Sequence, residues 1–217
     1  MGEIVLIRHG QANSAAQDEA SYDLLSDLGH QQARWLGAWI RDHEGGFDAT
    51  YIGSLRRHRE TALSMGIAHE HLRVDPRFDE LGYFSMALAM QNSHGVPLPQ
   101  SDREFFDHIP QLMNAWHRAE IDADESFVEF ELRVTQAVID VAREGRRVMV
   151  VTSGGVIGMI FRHLLDLDPG RMAHILVPIM NTSLHRIQVV GSRMILSGFN
   201  ATPHLDAPDR MNSRTTY

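Results

Sequence analysis

The chain contains neither cysteine nor lysine. The first absence removes disulfides, thiolate nucleophiles and thiolate metal sites together. The second excludes a Walker-type P-loop, a pyridoxal phosphate Schiff base and any lysine nucleophile. All 20 basic residues are therefore arginine, the side chain suited to bidentate phosphate binding. Long apolar runs are missing too: no stretch approaches the roughly 18 apolar residues that a membrane span needs. The formal charge of −8, without an Arg-rich tract interleaved with aromatics, argues against a general nucleic-acid surface. The histidines His69, His71, His108, His117 and His163 lack a paired-ligand spacing such as H-E-x-x-H, so no metal is expected, and no organic cofactor is implied. The N-terminus begins with a strand-like segment and lacks a basic signal region, which makes a cytoplasmic protein the expectation.

What is present is a globular composition, 43% apolar and 22% charged over 217 residues. That length suits one large α/β domain with a substantial core. The organising stretch is Ile4-Val5-Leu6-Ile7-Arg8-His9-Gly10-Gln11-Ala12-Asn13. Four consecutive aliphatic residues, too few for a helix and rich in β-branched side chains, predict a buried strand ending at Arg8. In an open α/β sheet ligands bind beyond the carboxyl ends of parallel strands. The stretch would therefore deliver an Arg, a His and a Gly to a site. A neutral imidazole with one free ring nitrogen can act as a nucleophile, and the neighbouring guanidinium would hold an anionic phosphoryl group before it. Gly10 would remove a side chain where an oxyanion must come close. By itself the triplet is equally an ordinary strand exit.

The rest of the chain alternates. A polar loop from Ala12 to Asp23 precedes an amphipathic helix from Ser26-Asp27 to about His43, stopped by Gly45-Gly46. Phe47 to Ile52 is a short strand that exits at once into a helix through Leu55-Arg56-Arg57-His58-Arg59-Glu60-Thr61-Ala62. Leu72 to Asp75 is a third strand, followed by a loop bearing Asp79-Glu80. From 84 to 110 the pattern loosens, with two Met and three Pro, and predicts an inserted lid or cap. A helix over Glu125 to Glu144, a strand over Arg147 to Thr152 and a helix over Val156 to Leu165 follow, then a hairpin of Ser183 to Val190 with Met194 to Phe199. This order predicts right-handed crossovers and a mainly parallel sheet. One domain over 1–205 and a loose tail over 206–217 is the economical division.

Arg8-His9-Gly10-Gln11 with Asn13 resembles the signature of the histidine phosphatase superfamily, also called phosphoglycerate mutase-like, in which the His is transiently phosphorylated. The resemblance implies a three-layer α/β/α sandwich with His9 as nucleophile and Arg8 as a phosphate ligand. The string around Arg57 is similar to the family's second phosphate-binding motif and implies that Arg57 grips the phosphate. A helix N-terminus also suits an anion, although three Arg in four residues would equally make a solvated helix face, as Arg56 and Arg59 are expected to do. Asp75-Pro76-Arg77-Phe78-Asp79-Glu80-Leu81 resembles the segment that supplies the acid protonating the leaving oxygen. By place in the motif that acid is Glu80, with Asp79 its rival.

Smaller similarities, Leu25-Ser26-Asp27-Leu28-Gly29 with Gln32-Ala33, Asn181-Thr182-Ser183, and Asn200 with His204-Leu205, extend the resemblance to about residue 205. One element departs. Where the family has a second His followed by two glycines, this chain reads Ser153-Gly154-Gly155. A serine donates one hydrogen bond but cannot carry the positive charge of an imidazolium. It could instead belong to a nucleophile elbow, but the first Gly of G-x-S-x-G is missing.

The resemblance implies a phosphomonoester hydrolase: His9, Arg8, Arg57 and Glu80 catalytic, with Gly10, Gln11, Asn13, Ser153 and Gly154 as further substrate contacts. Mutase-type phosphoryl transfer is one alternative, and a phosphate-binding regulatory protein with weakened catalysis is another. The expected partner is a small phosphate ester, with no nucleic acid or membrane, and a homodimer is allowed.

Overall fold

The computed structural model describes residues 1–216 apart from 14 and 17. A six-stranded sheet in the order β3-β2-β4-β1-β5-β6 forms its centre. The strands are β1 (Gly2–Arg8), β2 (Ala49–Ile52), β3 (Leu72–Val74), β4 (Arg147–Thr152), β5 (Leu184–Val190) and β6 (Arg193–Ala201). The first four run parallel, and β5 and β6 form an antiparallel hairpin on the β1 edge. The parallel strands are joined by helices, as the crossover rule requires.

Both faces of β1 and β4 are buried, which is why they read as unbroken apolar runs rather than alternating ones. Val5, Ile7, Met149 and Val151 face α2 (Asp27–His43) and α3 (Arg56–Ser64) across Leu36, Ile40 and Met65. Ile4, Leu6, Val148 and Val150 face the other layer: α4 (Tyr83–His94), α5 (Asp102–His117), α6 (Phe127–Val141), α7 (Gly154–Leu165) and α8 (Pro169–Leu176). The register Ile4↔Val148, Val5↔Met149 keeps neighbouring side chains on the same face. A one-residue slip would exchange the two layers, so the pattern fixes the pairing. Phe130 is fully buried in the larger layer, and truncating it to Ala would cost about 3–5 kcal/mol.

Two segments differ from the expectation. Residues 84–110, expected as a loosely patterned lid or cap, lie mostly in α4 and α5, with Met86, Met90 and Ile109 in the core. Pro110 lies inside α5 and interrupts the sequence signal without ending the helix. The stretch after Asp206, expected as a loose tail, is tied down through its backbone. Gln32 on α2 donates from Nε2 to the Ser213 carbonyl at 2.7 Å, and the Thr215 carbonyl accepts from Asn181 N at 2.8 Å. Arg210 lies 5.0 Å from the Trp35 ring centroid. Polar contacts from backbone and side chains and a cation–π contact hold this stretch, so an apolar-pattern reading cannot detect it.

Candidate active site

At the carboxyl ends of β1, β2 and β4 the chain turns sharply into loops or helices, and the side chains there converge. His9 follows β1 and is 2% exposed. Its N–H bonds the Thr152 carbonyl at the end of β4, and its own carbonyl accepts from Asn181 Nδ2 at 3.1 Å. Asn181 is itself held by Thr215, so the docked C-terminal stretch buttresses the His9 backbone. The His9 Nδ1 lies 2.7 Å from the Gly10 carbonyl. A carbonyl only accepts, so Nδ1 carries the proton and Nε2 keeps its lone pair. Burial, then the nearby charges of Arg57 and Arg8, hold the imidazole well below its ordinary protonation range. His9 is thus a neutral imidazole with a fixed tautomer.

Two arginines flank it. Arg8, 8% exposed, donates to the Ile179 carbonyl. Arg57, 2% exposed at the start of α3, donates to Asp23 Oδ1 at 3.1 Å. The Nε of each guanidinium has no hydrogen-bond partner among the described residues. Two buried cations with unspent donors suit an anion that is not a protein group.

Tyr22 was not anticipated from the sequence. It ends α1 (Glu19–Tyr22), stands edge-on to His9 with ring centroids 6.3 Å apart, and lies 5.2 Å beneath the Arg57 guanidinium. It therefore contacts both His9 and Arg57. No periodicity or motif marks it, because a four-residue helix in a polar loop leaves none.

The remaining expected residues divide. Glu80 lines a pocket of about 480 Å³ together with Arg57. Its Oε2 accepts from Gly155 N at 2.9 Å, and its Oε1 accepts from Leu81 N. A Cβ on Gly155 would collide with this carboxylate, which explains the second glycine after Ser153. Asp79, the rival, accepts from Ser54 N and Oγ and faces His58, not the pocket. Gly154 opens α7 beside Arg8, where a Cβ would stand 3.7 Å from the guanidinium Nε.

Gly10, Gln11 and Asn13 each make contacts within the protein. A Cβ at Gly10 would stand 2.5 Å from the Gly29 carbonyl, and the Gly10 N–H is taken by Thr61 Oγ1. In this structure the missing side chain makes room for the close approach of α2. Gln11 Oε1 accepts from Ser26 Oγ at 2.8 Å, tying the strand exit to the helix cap. Asn13 donates to the Ser21 carbonyl and accepts from Ala15 N, so its amide shapes the loop that carries Tyr22. Ser153 is fully buried beside His58, a second imidazole that the sequence placed next to Arg57 without marking it as part of a site. Among the described residues no group of three His, Asp or Glu could hold a metal ion, and no helix is long and apolar enough to cross a membrane.

Solved structures share this architecture. A phosphoserine phosphatase from Entamoeba histolytica superposes with a TM-score of 0.70 at 20% identity, covering 94% of this chain and all of that one. A mycobacterial glucosyl-3-phosphoglycerate phosphatase superposes with a TM-score of 0.63 at 22% identity, covering 92% and 98%. At these identities the likeness shows the fold. No curated protein sequence matches the chain significantly. Residues 4–202, nearly the whole chain, match the histidine phosphatase superfamily, branch 1, and the protein belongs to that superfamily.

Proposed function

We propose that the protein hydrolyses small phosphate monoesters through a phosphohistidine at His9. The observation that carries this reading is the His9 tautomer: a buried, neutral imidazole whose Nδ1–H is committed to the Gly10 carbonyl, leaving Nε2 with its lone pair while the charges of the buried Arg57 and Arg8 act on the ring. The lone pair on Nε2 attacks phosphorus and the ester P–O bond breaks, while Arg8 and Arg57 hold the equatorial oxygens. Glu80, at the pocket wall beside Arg57, gives its proton to the departing alkoxide. Water then attacks the phosphorylated nitrogen's phosphorus, its proton passes to Glu80, and inorganic phosphate leaves His9 neutral again. The ester enters by displacing Tyr22, whose four-residue helix contains no buried residue.

The leaving group would occupy the pocket that Glu80 and Arg57 line. Glu19, Asp23, Asp124 and Glu125 also line it, and Arg57 is the one cationic side chain among its lining residues. Glu19 is half-buried, and burial raises its pKa above the ordinary carboxylate value. Such walls repel an anionic leaving group. They favour a neutral or cationic alcohol over a phosphoglycerate, and hydrolysis over mutase-type transfer.

The test is a rapid acid or base quench after mixing with radiolabelled phosphate ester. Wild type is expected to carry acid-labile, base-stable label and to release phosphate, and His9→Ala to do neither. Vanadate binding without label or turnover in wild type would leave a phosphate-binding protein and refute the hydrolase. Turnover of 3-phosphoglycerate to a phosphorylated isomer, without net phosphate release, would favour the mutase.

A further inference from the structure

Ser153 caps α7 in position but not in bonding. The cap serines of α2, α5 and α6, namely Ser26, Ser101 and Ser126, each accept from a backbone N–H of the first helical turn. Ser153 makes no such bond, and its hydroxyl lies 2.7 Å from His58 Nε2. Serine at an N-cap is favoured for the bond it forgoes here, so some other interaction holds the side chain in place. Both partners are 0% exposed.

His58 has the features of a placed imidazole. It follows Arg57 in the first turn of α3, and its ring centroid is 5.9 Å from that of His9. Its other nitrogen, Nδ1, has no hydrogen-bond partner among the described residues and lies 3.9 Å from Asp79 Oδ1. Gly53, at the exit of β2, makes this arrangement sterically feasible: a Cβ there would collide with both His58 Nδ1 and Asp79 Oδ1. Ser54 in turn holds the Asp79 carboxylate through its N–H and its hydroxyl. Burial, then Arg57, keeps His58 neutral while the site is empty.

We propose that His58 is a positioning residue for phosphoryl transfer: it bonds Ser153 Oγ and turns the hydroxyl proton toward the transferring phosphoryl group. The strand tip of β4 thus works with an imidazole supplied from α3. In this state Nε2–H of His58 donates to Ser153 Oγ, and Ser153 O–H donates to a phosphoryl oxygen. No proton leaves either residue, and the P–N bond still forms at His9. Asp79 lies on the far side of the ring, with Oδ1 3.9 Å from Nδ1. The arrangement resembles an Asp–His–Ser series in order, so the rival outcome is phosphorylation of Ser153 itself.

This inference rests on the phosphohistidine reading, and the experiment separates the two. The measurement is single-turnover phosphorylation by p-nitrophenyl phosphate, with the label typed by acid and base stability. Acid-labile label on wild type establishes the reading, and its absence refutes that reading before any variant is considered. Given that label, Ser153→Ala and His58→Ala should each slow labelling by about 100-fold, as loss of one oxyanion donor does. The double variant should be no slower than either single one, because the two act as a unit. His58→Gln, which keeps an N–H donor, should recover at least tenfold over His58→Ala. The exchange variant Ser153→His/His58→Ala, which moves the imidazole from α3 to the tip of β4, should also exceed His58→Ala.

A merely structural role for His58 would lower the melting temperature of the single variants but would neither make the pair non-additive nor let the exchange variant recover. Effects that multiply to about 10⁴-fold, or His58→Gln and Ser153→Ala both within threefold of wild type, would overturn the proposal. So would acid-stable label lost in Ser153→Ala. Should His58→Ala not fold, His58→Gln against Ser153→Ala decides by the same threefold criterion.

Discussion

The two ends of the central sheet treat charge in opposite ways. At the amino end of β1 and β4, Glu3 and Glu44 meet Arg147 and Arg186 in a closed network. Arg147 bonds both carboxylates, Arg186 bonds both, and Arg147 also donates to the Gly45 carbonyl. Burial alone would raise the pKa of Glu3, but the two arginines outweigh it and hold that carboxyl below its ordinary value. At the carboxyl end of the same strands, Arg8 and Arg57 keep an Nε and His58 keeps an Nδ1 without a partner among the described residues. The first end holds the hairpin of β5 and β6 against the parallel strands. The second leaves buried polar atoms unspent, an arrangement that costs stability and persists where a ligand completes it.

The largest expected effect is at the carboxyl end. Glu80→Gln should slow alkyl phosphates by about 10²–10⁴-fold while p-nitrophenyl phosphate loses far less in the phosphorylation step, because nitrophenolate hardly needs a proton. Equal losses on both esters would take the proton-donor role away from Glu80.

Next comes Arg57→Met. Loss of a charged contact should weaken vanadate binding by roughly one to two decades, or about 1.5–3 kcal/mol. The melting temperature should hold or rise, since Asp23 keeps the backbone N–H groups of residues 56 and 57 and an unspent buried charge is gone. A clear drop in melting temperature with unaltered vanadate affinity would make this end structural as well.

Arg147→Met is the mirror experiment at the amino end. It leaves Glu3 and Glu44 with Arg186 alone, and the partial exposure of the network limits the loss to about 1–3 kcal/mol. Denaturant midpoints should fall while vanadate affinity and turnover of the folded enzyme stay the same.

The smallest effect is in the pH dependence of stability. His9, His58, His185 and His204 are all held below the ordinary value of 6.5, the last two at about 3, with burial the main cause. The unfolded chain therefore takes up protons first. The stability associated with neutral histidine is complete above about pH 6.5 and is lost progressively as pH falls toward the folded values. Glu3 acts lower: its contribution is present above its ordinary value of 4.5 and is lost as pH falls through its depressed folded value. Urea titrations between pH 7.5 and 5 should show the slope in wild type, reduced in His9→Ala by up to about 1.4 kcal/mol per pH unit, and unchanged in Arg147→Met. An unchanged slope in His9→Ala would mean that this imidazole is not held neutral by the fold.

Much of the site was legible because its residues sit where local pattern changes. The apolar run ending at Arg8 marks a buried strand, and Arg57 follows a second strand at once, so both fall at strand exits. Glu80 is legible only from its place in a motif; in the structure it lines the pocket, where Asp79 does not. Gly10 shows the converse. Its need for a missing side chain was legible, but the cause is the Gly29 carbonyl on a helix 19 residues later in sequence.

The sequence by itself determined the alternation of elements, the two-sided burial of β1 and β4, the strand-end placement of His9 and Arg57, and the departure at Ser153. These follow from side-chain periodicity and short-range spacing, which act within a few residues. Only the tertiary structure decided that His58 meets Ser153, 95 positions away, that Tyr22 stands over His9, and that Thr215 braces Asn181 behind the nucleophile. Such contacts depend on how helices settle against a sheet, and a buried hydrogen bond between distant residues leaves no period in the chain.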